Sequence, residues 1–172
     1  MNTPLDVTLV GGGMITHDQI LPSLYHLQRL GVIGGLQVCA LNTGPLKELL
    51  ADELLNEAFP GQDFRPFPEL STPDDQACPD LYLEAIDSMR PRQCVIVAVP
   101  DQFHYGMVKE AVSRGQHVIC VKPLVLAHAQ AVELEQLGRE HGLFIGVEYH
   151  KRFDRRALIA RKQYREGKFG EF

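Results

Sequence analysis

The stretch Ala98-Val99-Pro100-Asp101-Gln102-Phe103-His104, with its sequel Gly115-Gln116-His117-Val118-Ile119-Cys120-Val121-Lys122-Pro123, decides how this chain folds. The first part closes an apolar run, Cys94-Val95-Ile96-Val97-Ala98-Val99, at a proline. The second is a glycine stop and a second apolar run, delivered into a lysine and another proline. Neither run alternates, so both faces of the two strands are expected to be covered, as at the centre of a parallel sheet. The residues between them, Phe103 to Arg114, read as the crossover helix. Open α/β sheets gather ligands at the carboxyl ends of their strands, which directs attention to Val99, Pro100, His104 and Lys122.

Working outward, strand and helix patterns alternate along the chain, the mark of a doubly wound parallel α/β sheet. Strands are expected at Asp6 to Val10, Leu36 to Leu41, Phe64 to Phe67, Cys94 to Val99, His117 to Val121 and Phe144 to Val147. Ile20, Leu24, Leu27 and Gly31 share one helical face, and Leu46, Leu49, Leu50 and Leu54 another. Pro22 marks either a first helical turn or a bend, because it lacks the donor for an interior helical bond. Further helices are expected at Leu81 to Met89, Phe103 to Arg114, Ala127 to His141 and Arg155 to Glu166. Gly115 and Gly142 can close two of them in the left-handed conformation.

The 172 residues suffice for one full domain and its core. Hydrophobic residues at 45% and charged residues at 23% suit a soluble globular protein. A net charge of −5 argues against nucleic acid or an anionic membrane as the main partner. The basic segment from Lys151 to Lys168 reads as a solvated helix face. Cys39, Cys94 and Cys120 fall in expected strands and read as reduced core thiols, and Cys78 has no companion at metal-site spacing. No metal site is expected. With no targeting pattern and no membrane-span-length apolar run, a cytoplasmic location is expected.

Gly11-Gly12-Gly13 directly follows the first strand, and Met14, Ile15 and Thr16 lead into the first helix. In a dinucleotide fold the first glycine makes the tight turn, and the second, here Gly13, lets backbone approach a pyrophosphate. That group then rests on the helix N-terminus, here Met14 and Ile15. Thr16 stands where a glycine or alanine is usual, so the fingerprint is imperfect. A flexible strand-to-helix turn is the plain alternative. After the second strand comes Asn42, where an acid usually meets the adenosine ribose. It lies later than the usual spacing of roughly twenty residues, a lag assigned to a loop holding Gly31, Gly34 and Gly35. Asparagine can bond a ribose hydroxyl without repelling a 2′-phosphate, and Lys47 is within reach of that phosphate. NAD and NADP both stay open.

On the Pro100 turn, His104 and the Lys122-Pro123 element, the chain resembles the glucose-fructose oxidoreductase / inositol 2-dehydrogenase / MocA family of NAD(P)-dependent sugar dehydrogenases. The resemblance implies a Rossmann-like fold in which Val99, Pro100 and His104 lie along the nicotinamide half of the cofactor. It makes Lys122 the proton relay, held beside the ring by the preceding strand and by Pro123. Val121 departs from the pattern, for the family has glutamate there. Past the sixth strand, Glu148-Tyr149-His150-Lys151-Arg152-Phe153 resembles the family's crossing into a substrate domain, so His150 and Arg152 are candidates to face nicotinamide or substrate. Read without the family, His104 is a helix-start residue serving local backbone, Lys122 a strand-end lysine, and His150 part of a polar linker.

The expected organisation is a nucleotide-binding domain over 1–148 and the start of a second, α+β domain over 149–172. The implied reaction is hydride transfer between a sugar or polyol carbon and nicotinamide, with a homo-oligomer when full length and little activity from these residues alone. The competing reading is a non-catalytic nucleotide-binding or sensing module, which Val121 favours. A flavin-binding domain fits the glycine turn but not Lys122-Pro123.

Overall fold

A computed structural model describes residues 3–171. Six strands, β1 (Leu5–Val10), β2 (Ile33–Cys39), β3 (Arg65–Phe67), β4 (Cys94–Val97), β5 (His117–Val121) and β6 (Ile145–Glu148), form one sheet in the order β3-β2-β1-β4-β5-β6. Every neighbouring pair is parallel. This is the doubly wound Rossmann arrangement, and the strand order reverses direction between β1 and β4.

The covering helices are α1 (Leu21–Arg29), α2 (Thr43–Ala51), α3 (Glu53–Ala58), α4 (Leu81–Asp87), α5 (His104–Ser113) and α6 (His128–His141). Strand residues divide by period two between two cores. Val7, Leu9, Val38 and Ile96 pack under Leu21, Leu24, Leu46 and Leu49 from α1 and α2. Val10, Val95, Val97 and Val118 pack under Ile86, Val108, Val112 and Leu134 from α4, α5 and α6. Both faces of the central strands are therefore covered, and α5 and α6 end on Gly115 and Gly142 at φ values of 77° and 61°.

Three expectations on the way to the site need correction. Gly34 and Gly35 lie inside β2 and not in a loop; the strand starts early, with Ile33 paired to Leu5, and the Gly35 N–H donates to the Asp6 carboxylate at 2.9 Å where the register shifts. The lag before Asn42 comes instead from a longer first helical segment. A π-helical turn, Thr16–Ile20, precedes α1, and Pro22 sits in the first turn of α1 directly after it. Leu54 does not continue the α2 face, for Asp52 turns extended, caps Leu55 N at 2.7 Å and starts α3, leaving Leu54 78% exposed.

After β6 come a 3-10 turn, His150–Arg152, and α7 (Arg155–Arg165), none of whose residues is buried. Phe153 and Phe169 are exposed on this stretch, as is Phe144 just before β6. No helix among the described residues is long and apolar enough to cross a membrane.

Candidate functional site

At the β1 exit, Gly11 donates its N–H to Cys39 O at 2.7 Å and takes φ +119°. A Cβ there would stand 2.0 Å from Ala98 O, so only glycine lets β1 and β4 part this closely. Gly13 differs: a Cβ on it would meet nothing within 4 Å. Its outer side is open for a ligand to approach the backbone. Thr16, the imperfect letter of the fingerprint, is fully buried and donates its hydroxyl to Gly11 O at 2.6 Å, locking the turn through a side chain. Met14 opens the helix, largely exposed, while the Ile15 side chain packs into the first core. The first N–H groups of a helix lack intrahelical partners and favour an anion, so Gly13, Met14 and Ile15 form a cradle suited to a pyrophosphate.

Beside this turn a cleft of about 470 Å³ opens between the ends of β1, β2 and β4, with Gly11, Leu41, Tyr82, Val99, Phe103 and Met107 among its walls. It is mostly apolar and suits a flat aromatic base. Val99 and Pro100 also line it. Its buried Cys39 thiol is pushed up to about 12 by desolvation, and all four cysteines are free. The expected acid position, Asn42, caps α2 by accepting from Gly44 N at 3.2 Å. Lys47, expected to be free for a phosphate, is instead paired with Asp74 at 2.6 Å.

His104 corrects the cofactor-contact expectation. Its ring is fully buried, with Nε2 2.8 Å from Val99 O and Nδ1 2.7 Å from Pro123 O. It ties the turn after β4 to the turn after β5, and both ring nitrogens are already engaged. Lys122 is exposed, and its ammonium has no hydrogen-bond or ion-pair partner among the described residues. The Lys122-Pro123 bond is cis.

Val121 pairs in register with Glu148 at the end of β6. The Glu148 carboxylate lies 3.5 Å from His150 Nδ1, an atom shielded from water and short of a well-aligned hydrogen bond. Arg152 stacks over the Tyr149 ring at 5.1 Å, which holds it to its own turn. Because the strands are parallel, Gly11, Pro100, Lys122 and His150 all emerge on one edge of the sheet, in the order β1, β4, β5, β6.

Sequence reasoning missed Asp74 and His17. His17 places Nδ1 2.6 Å from Asp18 and Nε2 2.6 Å from Asp52, bracing the glycine-turn helix against α3. Hydrogen bonds to Asp18 and then Asp52 raise its pKa above 6.5. Neither residue sits in a motif, since the contacts of His17 with Asp52 and of Asp74 with Lys47 join segments far apart in sequence.

Residues 5–149 match the oxidoreductase family with an NAD-binding Rossmann fold. The oxidoreductase YfiI of Bacillus subtilis is 26% identical over 99% of this chain and 40% of its own length. The D-glucoside 3-dehydrogenase of Escherichia coli is 34% identical over 45% of this chain and 22% of its own. Myo-inositol 2-dehydrogenase from Lactobacillus plantarum superposes with a TM-score of 0.67 at 20% identity, covering 98% of this chain and 43% of that one. The chain thus spans less than half the length of these relatives. With a glycine turn, an open cradle and an apolar cleft at the strand-order switch, and with a family match over residues 5–149, the chain belongs to the glucose-fructose oxidoreductase / inositol 2-dehydrogenase / MocA oxidoreductase family, for which NAD or NADP fits as cofactor.

Proposed function

We propose that this chain is the cofactor-binding part of an NAD(P)-dependent dehydrogenase that moves a hydride between a sugar or polyol carbon and nicotinamide. The exposed, unpaired Lys122 ammonium carries the reading, two strands along the same sheet edge from the glycine turn. With strands about 4.8 Å apart, that is a span of about 10 Å, suited to a cofactor lying across the edge.

Gly13, Met14 and Ile15 would hold the pyrophosphate, the cleft at Leu41 and Cys78 the adenosine, and the Val99-Pro100 turn the nicotinamide side. Bound nicotinamide supplies the hydride acceptor. Lys122 Nζ contacts the substrate oxygen: as the neutral amine it takes the hydroxyl proton while the carbon gives up hydride and the alcohol becomes a carbonyl, and in the reverse direction the ammonium returns that proton as the carbonyl carbon receives hydride. His150, with Glu148 3.5 Å from its Nδ1, is a second group for that proton. Residues 1–148 form the cofactor domain in this reading, and 149–172 begin the substrate and oligomer domain, in keeping with the wholly unburied α7. The names of the inositol and glucoside dehydrogenases among the relatives support a small polyhydroxy substrate. Val121 favours a second reading, a nucleotide-binding module without catalysis, since valine can neither accept a hydrogen bond nor pair with a cation.

Calorimetric titration with NADH and NADPH tests the binding half, joined to amine-selective labelling read by mass spectrometry. Binding in the micromolar range with protection of Lys122 is expected; no binding, or binding that leaves Lys122 labelled at its free rate, overturns the assignment. Nicotinamide absorbance over a panel of sugars and polyols separates the two readings. The 172 residues alone are expected to bind without turnover, because near-attack positioning supplies about 7–11 kcal/mol and one wall of a pocket cannot provide it. Turnover by this chain, abolished in Lys122→Ala, would show that one wall suffices and would exclude the non-catalytic module.

A further inference from the structure

We propose that Asp74 sets the cofactor preference of this site toward NAD, supplying from the loop after β3 the negative charge that Asn42 does not provide at the end of β2. The inference rests on the reading that the dinucleotide lies across the glycine turn, with its adenosine ribose where β2 gives way to α2.

The start of α2 is where a 2′-phosphate would have to be accepted or refused. Asn42 is uncharged there, and its side-chain oxygen is occupied by Gly44 N. Thr43 and Lys47, one helical turn apart, both aim at a single oxygen: Asp74 Oδ1 accepts from the buried Thr43 hydroxyl and from Lys47 Nζ, the latter at 2.6 Å. The pair has two consequences. Lys47, the cation of α2 placed to meet a phosphate, is neutralised by a carboxylate. That carboxylate also remains open, for Asp74 is 63% exposed and its Oδ2 has no partner among the described residues.

An open carboxylate beside ribose hydroxyls accepts hydrogen bonds from them, as the acid after β2 does in NAD-preferring folds. Facing a 2′-phosphate it repels, by Coulomb interaction across a partly solvated gap. The Lys47 ammonium and the Thr43 hydroxyl both hold Asp74 below the usual carboxylate range, in that order of weight, so the charge persists through neutral pH. The loop from Asp74 leads directly to Cys78 and Pro79 on the cleft wall, and Cys78 N donates to Leu41 O at 2.7 Å. The acid is therefore anchored to the same wall as the proposed adenosine cleft.

Dissociation constants for NADH and NADPH, from nicotinamide fluorescence at fixed ionic strength, decide the matter in three proteins. The wild-type chain is expected to favour NADH by about tenfold. Asp74→Asn, which keeps the size and still accepts from Thr43, should free Lys47 and remove most of that preference, mainly by tightening NADPH. Asp74→Asn with Lys47→Gln should lose the NADPH gain while leaving NADH close to the single variant. A wild-type preference for NADPH, or an Asp74→Asn change that shifts both cofactors equally, overturns the proposal while leaving the site in place. Failure of the wild-type chain to bind either cofactor overturns the site itself, and circular dichroism confirms that each variant is folded.

Discussion

Val121 and Glu148 stand side by side in register at the carboxyl ends of β5 and β6. Residues paired this way in a parallel sheet project to the same face. The carboxylate that the family resemblance leads one to expect at position 121 is missing from β5, yet a carboxylate stands on the adjoining strand, facing His150 across 3.5 Å. An acid has not been lost from this end of the sheet; it is carried by the neighbouring strand.

A charge placed at position 121 should therefore feel Glu148. Val121→Glu and Val121→Lys lose the same apolar contacts, so their difference isolates the electrostatic effect. The lysine variant is expected to be more stable by about 0.5–1 kcal/mol, as for opposed and like charges on adjacent strands. Urea unfolding at low salt measures it, and the difference should vanish in a Glu148→Gln background. Equal stabilities with Glu148 intact would mean that the two side chains do not meet.

Gly11 and Gly13 look alike in the sequence and should behave oppositely. Gly11→Ala puts a methyl group 2.0 Å from Ala98 O at a positive φ, so a loss of at least about 2 kcal/mol of stability is expected, if the protein folds at all. Gly13→Val meets open space, should leave the thermal midpoint within a few degrees, and should weaken NADH about tenfold or more by filling the pyrophosphate cradle. A stable Gly11→Ala protein, or a Gly13→Val protein with unchanged affinity, would reverse these assignments.

The brace at His17 makes stability depend on pH. Its pKa is raised by the Asp18 and Asp52 carboxylates, and that of Asp52 is lowered, first by His17 and then by Leu55 N. The histidine contribution is fully present below its ordinary 6.5 and is lost as pH climbs through the raised value. The Asp52 contribution is present above its ordinary 3.8 and is lost as pH falls through the lowered one. The brace is thus strongest from weakly acidic conditions up to about neutrality. The gap in urea midpoint between wild type and His17→Gln should be widest near pH 6 and shrink by pH 9; a gap constant across that range would rule out a charged latch.

The fold was legible because it is written locally. Cys94 to Val99 and Val118 to Val121 are apolar on both faces, and a strand that carries such a run has to sit inside a parallel sheet. The glycine turn was legible too, since Gly11 takes the positive φ of a tight turn directly after β1 and Gly13 lies open beside it. What escaped depends on tertiary neighbours. Asp74 reaches Lys47 from the loop after β3, 27 positions along the chain. Glu148 gains meaning only from its register beside Val121. The end of α2 at Asp52 is decided partly by His17, thirty-five positions away. Lys122 was placed correctly just past the end of β5, after Val121.

His104 provides the last test, because its ring is the one link described between the turns that carry Val99-Pro100 and Lys122-Pro123. The side chain is wholly buried, so replacing it with phenylalanine preserves most of the volume while removing the ring N–H that donates to one of the two flanking carbonyl oxygens. A buried carbonyl left without its donor costs about 1–3 kcal/mol, and a loss of that size is expected from urea unfolding. Hydrogen exchange gives the sharper reading. If the ring couples the two turns, His104→Phe should speed exchange at Asp101 to Phe103 and at Leu124 to Leu126 together, with the strands β4 and β5 still protected. Faster exchange in one turn alone would mean that each is held by its own strand, and that the histidine fills space without joining the cofactor side of the site to the lysine side.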